Sequence, residues 1–274
     1  MALLLLLTVT HGGLSVGGLL RKFLRTSVAL VVLTTLLPLS ETSLGQGHPP
    51  WLQMTVVQVE PTSVDEFLAA QGELSALEEE AGTSWRSVTR TAIFGDTYQF
   101  LIMSPFSDFS TFGQAVDAGP DRAAVINRIR SAITSRQTYA LRATPAIDNP
   151  LPDDEEPTLM LVQFVSVLPG REQEYLRVMV DDVLPYFDEA EMHHTSGAIM
   201  LGGASGYVHV FHVENFAELD QGSPLAQAVG VDGAQEITAK LSGVVTRIEQ
   251  WLVHYLPNQS FRSDAKNEAD SEPF

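Results

Sequence analysis

The chain has 274 residues, of which 45% are hydrophobic and 18% charged, enough for one large domain or two small ones. A formal net charge of -18 and a pI near 4.6 argue against nucleic acid and anionic lipid as partners, because a surface of that sign repels phosphate. Cysteine is absent, which excludes disulfides, thiolate metal sites and cysteine nucleophiles.

Residues 1–45 read as a separate segment. An apolar stretch leads to Arg21, Lys22 and Arg25, and an uncharged apolar run follows over residues 26–39. Basic residues before a short apolar core form a signal-peptide arrangement, and the run is too short to span a bilayer comfortably. Ser43, Leu44 and Gly45 place small residues at a cleavage spacing, so the mature chain is expected to begin at Gln46. Export to the periplasm or the extracellular space follows, with a retained membrane anchor as the alternative.

The first half is taken as residues 46–148. Val56 to Val59 form a strand that Pro61 ends. Ser63 caps a helix with Glu66 three residues on, and Phe67, Leu68, Leu74 and Leu77 give it an apolar side. Strands are expected over residues 87–94 and 97–103 around Gly95 and Asp96, as a hairpin. A further helix includes Phe109 and Phe112 near its start and continues over residues 123–133, and a last strand covers 138–143. The order is β-α-β-β-α-β.

Residues 149–157 form an acidic, proline-rich linker, the later part of an exposed connector that begins at Pro145. The second half, 158–257, repeats the order. A strand covers residues 159–167, and Tyr175, Met179, Val183 and Phe187 form a helical stripe. Strands follow at 195–201 and 207–213 around Gly202 and Gly203, then a helix at 237–245 and a strand at 248–255. Residues 258–274 are expected to be a flexible acidic tail. Pro61 and Pro169, Glu66 and Glu174, Phe67 and Tyr175, and Leu68 and Leu176 each lie 108 positions apart. Ordered matches at a constant offset mark a tandem duplication.

A β-α-β-β-α-β unit makes a four-stranded antiparallel sheet with helices on one face, and the open face must still be buried. Over residues 51–257 the duplicated order resembles the dimeric α/β-barrel superfamily, with both ferredoxin-like halves in one polypeptide. The resemblance implies an α+β fold in which two antiparallel sheets pack into a pseudo-dimeric barrel. Members of that superfamily include cofactor-free monooxygenases, haem-binding or haem-degrading proteins, dye-decolourising peroxidases and stress-response barrels. The fold alone therefore implies no single reaction.

Between Trp51 and Pro157 there is no histidine, whereas the second half holds His193, His194, His209, His212 and His254. His193 and His194 read as an exposed loop. His209 and His212 fall on opposite faces of a strand, so they are not a metal pair. Tyr207, His209, Phe211 and Val213 share one face. Tyr207 and His209 are expected to face the barrel cavity, with Tyr98 as the counterpart of Tyr207. Trp85, Arg86 and Trp251 supply further lining, and Arg86 can attract an anion. His209 and His254 are the nearest candidates for a haem ligand. Glycine-rich phosphate loops, hydrolase elbows and zinc-protease helices are missing, and no cofactor or metal is assigned.

These observations lead to an expectation of an exported noncatalytic binding or structural protein. Its barrel holds a small apolar or aromatic ligand, bound by Tyr98, Tyr207, His209, Trp85, Arg86 and Trp251. A protein partner or a second copy would pair through edge strands. The alternative is a cofactor-free monooxygenase-like or haem-dependent oxidoreductase that uses the same cavity.

Overall fold

The computed structural model describes residues 51–112, 119–152 and 155–263. The leader, its cleavage position, Asp153 and Asp154 of the linker, and the tail from residue 264 lie outside the described residues. Among the described residues no helix is long and apolar enough to cross a membrane.

The first repeat comprises β1 (Trp51–Val59), α1 (Val64–Glu80), β2 (Trp85–Thr91), β3 (Gln99–Phe106), α2 (Gly119–Ala132) and β4 (Ile133–Ala143). The second comprises β5 (Leu159–Val167), α3 (Glu172–Val178), a π turn (Met179–Val183), α4 (Leu184–Glu189), β6 (His194–Leu201), β7 (Gly206–Val213), α5 (Pro224–Lys240) and β8 (Val245–Tyr255). A two-residue strand, β9 (Phe261–Arg262), ends the described chain. Two expected helices stop earlier than their apolar pattern suggests. Ile133 and Val245 open strands directly, and each pairs with the last residue of the neighbouring strand, Val59 and Val167.

Within each repeat the strands take the order β4-β1-β3-β2 and β8-β5-β7-β6, all antiparallel. The pairs β4–β6 and β2–β8 join the two sheets into a closed barrel. Both seams are short: Ala140 to Ala143 meet β6, and Thr89 to Thr91 meet β8. The remaining open lengths of β4 and β8 are exposed and carry Arg136, Arg247 and Glu249. Charged side chains there blunt pairing with another chain.

Alternation along each strand divides the core into an inner barrel and two outer layers. Met54, Leu101, Leu141, Val162, Val208 and Val253 fill the interior, each at most 3% exposed. Phe164 bridges it, with ring centroids 5.8 Å from Tyr139 and 4.5 Å from Trp251. On the outer side, α1 and α2 cover Val57, Val59, Val88 and Phe100. The α3–π–α4 segment and α5 cover Val165, Val167, Tyr207 and Phe211.

The π turn has a local cause. Tyr175, Met179, Val183 and Phe187 recur every fourth residue and are all buried. On a regular α-helix that spacing drifts by about 40° per step, which would carry Phe187 off the buried face. Pro185 also lacks an N–H and crowds the carbonyl four residues back. A wider turn at Met179–Val183 relieves both constraints and keeps the four side chains on the sheet.

Two stretches expected to be exposed or flexible are built in. Ile147 is fully buried in the core of the second repeat, and Asn149 exchanges backbone hydrogen bonds with His194 at 2.9 and 2.6 Å. The connector therefore begins as part of the second repeat's packing. Past β8, residues 257–263 form a strap across the first repeat. Ser75 Oγ donates to the carbonyl of Gln259 (2.6 Å), the Val88 amide donates to Ser260 Oγ (2.9 Å), and β9 pairs with β2. The flexible-tail expectation fails for these residues because their polar groups are satisfied by α1 and β2.

Candidate functional site

Tyr175, Ser196 and His209 come from α3, β6 and β7, and each is no more than 5% exposed. Tyr175 Oη lies 2.7 Å from His209 Nε2, and Ser196 Oγ lies 2.8 Å from His209 Nδ1. Ser196 Oγ also donates to the Ile147 carbonyl at 3.4 Å. With its hydroxyl proton so directed, Ser196 accepts from His209 Nδ1–H, which leaves Nε2 to accept the Tyr175 hydroxyl proton. This tautomer is assigned from the network. Burial pushes His209 down to about 3, with His194 adding to the effect, and burial raises Tyr175 above the ordinary tyrosine range. The three groups therefore form a neutral, fully paired chain in the core.

Aromatic rings surround it. Tyr207 stacks on Tyr175 at 4.7 Å, and Phe211 stacks on His194 at 5.2 Å. His194 Nε2 donates to the Ile147 carbonyl at 2.8 Å, while Nδ1 faces the Met192 carbonyl at 3.2 Å. Burial lowers the His194 pKa although both carbonyls favour its charged form.

The first repeat provides an internal comparison. Phe67 stands where Tyr175 stands, and the strand registers make Phe100 the counterpart of Tyr207, Ile102 that of His209 and Val88 that of Ser196. The Phe67 and Phe100 rings pack at 4.8 Å, as those of Tyr175 and Tyr207 do at 4.7 Å. The same layer is thus built with hydrocarbon in one repeat and with a hydrogen-bonded chain in the other. The fold does not require the polar version.

The six residues expected to line one cavity are not brought together. Tyr207 and His209 face the helices, contrary to expectation, because Val208 and Val210 take the inward positions on β7. Trp251 does point into the barrel, against Phe164. Tyr98 is partly exposed at the β2–β3 hairpin, with the Arg90 guanidinium over its ring at 5.9 Å. Trp85 sits at the start of β2 opposite Arg262 of β9. Arg86 is buried and bound to Glu78 (2.7 Å) and Gln71 (2.6 Å), so its charge is already matched. His194 is fully buried, not in an exposed loop. Tyr175 was legible only as a core position, and Ser196 had no signal of its own. Comparing the repeats for apolar-to-polar changes, as at Phe67 and Tyr175, is the sequence signal that finds the site.

The barrel interior is occupied by side chains. A pocket of about 10 Å³ lies by His212, Met192 and Phe211, and an open groove of about 500 Å³ runs along α5 beside Ala226, Val231 and Thr238. Neither is lined by the interior cluster. A porphyrin fits this arrangement poorly, because both ring nitrogens of His209 and of His194 face protein oxygens and the larger groove is lined by no histidine. Among the described residues no group of three or more His, Asp or Glu side chains is placed to hold a metal ion.

Comparison with solved structures agrees with the fold. A candidate monooxygenase from Fusobacterium nucleatum subsp. nucleatum ATCC 25586 aligns at a TM-score of 0.59 and 10% identity, covering 78% of this chain and 95% of its own. A candidate monooxygenase from Lactobacillus acidophilus NCFM aligns at 0.56 and 10% identity, covering 79% and 97%. An anthrone oxidase-like protein aligns at 0.54 and 10% identity, covering 78% and 93%. No family model and no curated sequence matches the chain. The fold is that of a pseudo-dimeric α/β barrel, built from two ferredoxin-like repeats in one polypeptide.

These findings correct the expectation of a noncatalytic binding or structural protein. The barrel that was to hold the ligand is filled, and structures of the same fold carry the names of oxidising enzymes.

Proposed function

We propose that the chain is an oxidoreductase that oxidises a small activated aromatic compound with dioxygen, with no metal or organic cofactor. The observation that supports this most is the chain Tyr175–His209–Ser196 in the second repeat, where the first repeat uses Phe67, Ile102 and Val88. A buried polar chain that the fold can do without is retained at a cost in desolvation, and proton transfer is the chemistry such a chain supplies. Removing a proton from an acidic aromatic C–H or O–H group raises the electron density that dioxygen can accept. For a CH₂ group activated by an aromatic ring and a carbonyl, the balance is CH₂ + O₂ → C=O + H₂O. Burial raises the Tyr207 pKa, and the negative charge of Glu172 adds to the effect.

The test is oxygen uptake and product formation over a panel of hydroquinones, naphthols and anthrones, with chelator present. Uptake by the wild type, reduced at least about 100-fold by Tyr175→Phe, is expected. Uptake that Tyr175→Phe leaves unchanged overturns the assignment. A haem absorption band in protein recovered from its source overturns the cofactor-free part. The same reading sets the mature protein outside the cytoplasm after loss of residues 1–45. An intact mass that starts at Gln46 is expected, and a mass that retains residues 21–39 overturns cleavage.

A further inference from the structure

The two open strand edges are not equivalent. The β6–β7 turn closes on β4: Gln137 Nε2 donates to the Gly202 carbonyl, and a Cβ on Gly202 would stand 2.1 Å from the Thr138 carbonyl oxygen. The matching Gly95 of the β2–β3 turn has no atom of β8 within 4 Å of such a Cβ. Thr246, Arg247, Ile248 and Gln250 of β8 are exposed. The direction of the β8 backbone follows from its seam with β2. The Ala92 amide donates to the Leu252 carbonyl (2.8 Å) and the Leu256 amide to the Val88 carbonyl (3.0 Å). Alternate residues of a strand aim both backbone groups at the same edge, so Ile248 and Gln250 aim theirs at the open one. Among the described residues no strand meets them there.

We propose that β8 pairs antiparallel with β8 of a second copy, about a twofold axis at Ile248, to form a homodimer with one continuous sheet. The inference stands apart from the oxidation chemistry. In this register the two Ile248 residues exchange both backbone hydrogen bonds, and Arg247 stands opposite Glu249 of the second copy. Within one copy Arg247 and Glu249 already pair at 2.9 Å, so four charges of alternating sign meet across the axis. Centring the pair on residue 247 or 249 would instead set Arg247 against Arg247 or Glu249 against Glu249, and like charges directly opposite are destabilising. The same two charges that blunt this edge toward an unmatched strand therefore match a second copy, and they match it in one register.

A short strand pair is a small contact, whereas a stable dimer buries about 1,200 to 2,000 Å². Helix α5 supplies more. Lys240 on one flank of α5 pairs with Asp182 of the π turn at 2.5 Å. Thr238 lies about 160° around the helix from Lys240, so the open groove with Val231, Ala234 and Thr238 runs along the other flank. It ends at Ser242, which bridges to Val245 at the start of β8. A twofold axis perpendicular to the sheet keeps the helices of both copies on one face, where the two grooves close on each other. Ile248, 56% exposed, points to that face, because its cross-strand neighbour Val165 belongs to the outer layer.

The experiment is analytical sedimentation of protein recovered from its native compartment. The wild type is expected at twice the chain mass. Arg247→Glu sets like charges opposite each other and should weaken the dimer at least about 100-fold. Arg247→Glu with Glu249→Arg restores the alternation and should restore the dimer, which separates charge matching from loss of fold. The chain has no cysteine, so Ile248→Cys introduces a thiol that can link only to its own copy across the axis. Paired residues of that kind lie about 5.5 Å apart between Cα atoms, within disulfide reach. Oxidation should cross-link Ile248→Cys and leave Arg136→Cys, on β4, unlinked. A wild type that stays monomeric overturns the proposal. A dimer that survives Arg247→Glu, a charge swap that stays monomeric, or Ile248→Cys that gives no cross-link overturns it as well.

Discussion

His194 Nε2 lies 2.8 Å from the carbonyl oxygen of Ile147, and this bond fastens the start of the inter-repeat connector to the second repeat. The imidazole is fully buried between Phe187 and Phe211. His194→Ala removes the donor, leaves the carbonyl short of a partner and opens a void. A loss of about 3 kcal/mol is expected from urea unfolding. His254→Ala, at a half-buried position beside Phe216, is the comparison and should cost less than about 1 kcal/mol. Equal losses would show that the connector is not held by His194.

The first repeat predicts which replacement the site tolerates. Tyr175→Phe combined with His209→Ile recreates Phe67 and Ile102 of the first repeat, so the double variant should fold within about 1.5 kcal/mol of the wild type. Oxidation should nevertheless fall at least about 100-fold. His209→Ala alone should cost about 2 to 4 kcal/mol, because two buried hydroxyls lose their partner. A double variant that folds and keeps its activity would remove the chain from the mechanism.

Stability should fall on acidification. His209, at about 3, and His212, at about 4, have folded pKa values below the unfolded value of about 6.5, and His194 is lowered too. For each, the unfolded chain binds the extra proton first. The stability present above about pH 6.5 is therefore lost as pH drops toward the folded pKa. Asp148 acts in the opposite sense. Its folded pKa, about 7, exceeds the unfolded value, so its contribution is present at low pH and lost as pH rises from about 4 to 7. Three histidines outweigh one aspartate, and thermal midpoints should drop below pH 6. Asp148→Asn should steepen that drop, since it removes the opposing slope. A midpoint that rises from pH 7 to pH 5 would contradict the burial of these imidazoles.

Removing the strap should loosen the first repeat. A chain ending at Leu256 loses the bonds from Ser75 to Gln259, from Val88 to Ser260 and from Ser263 to Ser84. At about 1 kcal/mol each, a loss of about 3 kcal/mol is expected, with faster hydrogen exchange concentrated in β2. Unchanged exchange in β2 would show that the strap contributes nothing.

Much of the fold was legible because its signals are local and repeated. Pro61 and Pro169, Glu66 and Glu174, and Phe67 and Tyr175 recur at one offset, which is enough to show two copies of one unit. Runs of β-branched and aromatic residues bounded by proline and glycine located β1, β3, β5 and β7, each of which carries apolar residues on both parities. The stripe from Tyr175 to Phe187 was also correct as a buried face, although four-residue spacing did not reveal the π turn that keeps it in phase. The site was only partly legible. His209 and Tyr207 were picked out, yet as wall residues of a cavity that the interior side chains fill.

Sequence by itself determined the duplication, the order of elements and the two faces of each strand. A period of two states which side chains share a face, but not which face meets the helices. Polarity usually settles that choice, because one face is wet. In a closed barrel with helices outside, both faces of a strand are dry, so GYVHVFHV offers no contrast by which to orient it. Only the packing of α3, the π turn and α4 over β7 decided that His209 turns outward and Val208 and Val210 turn inward. The meeting of Tyr175, Ser196 and His209 depended on the same decision, since these residues are joined by sheet register and helix docking rather than by spacing along the chain.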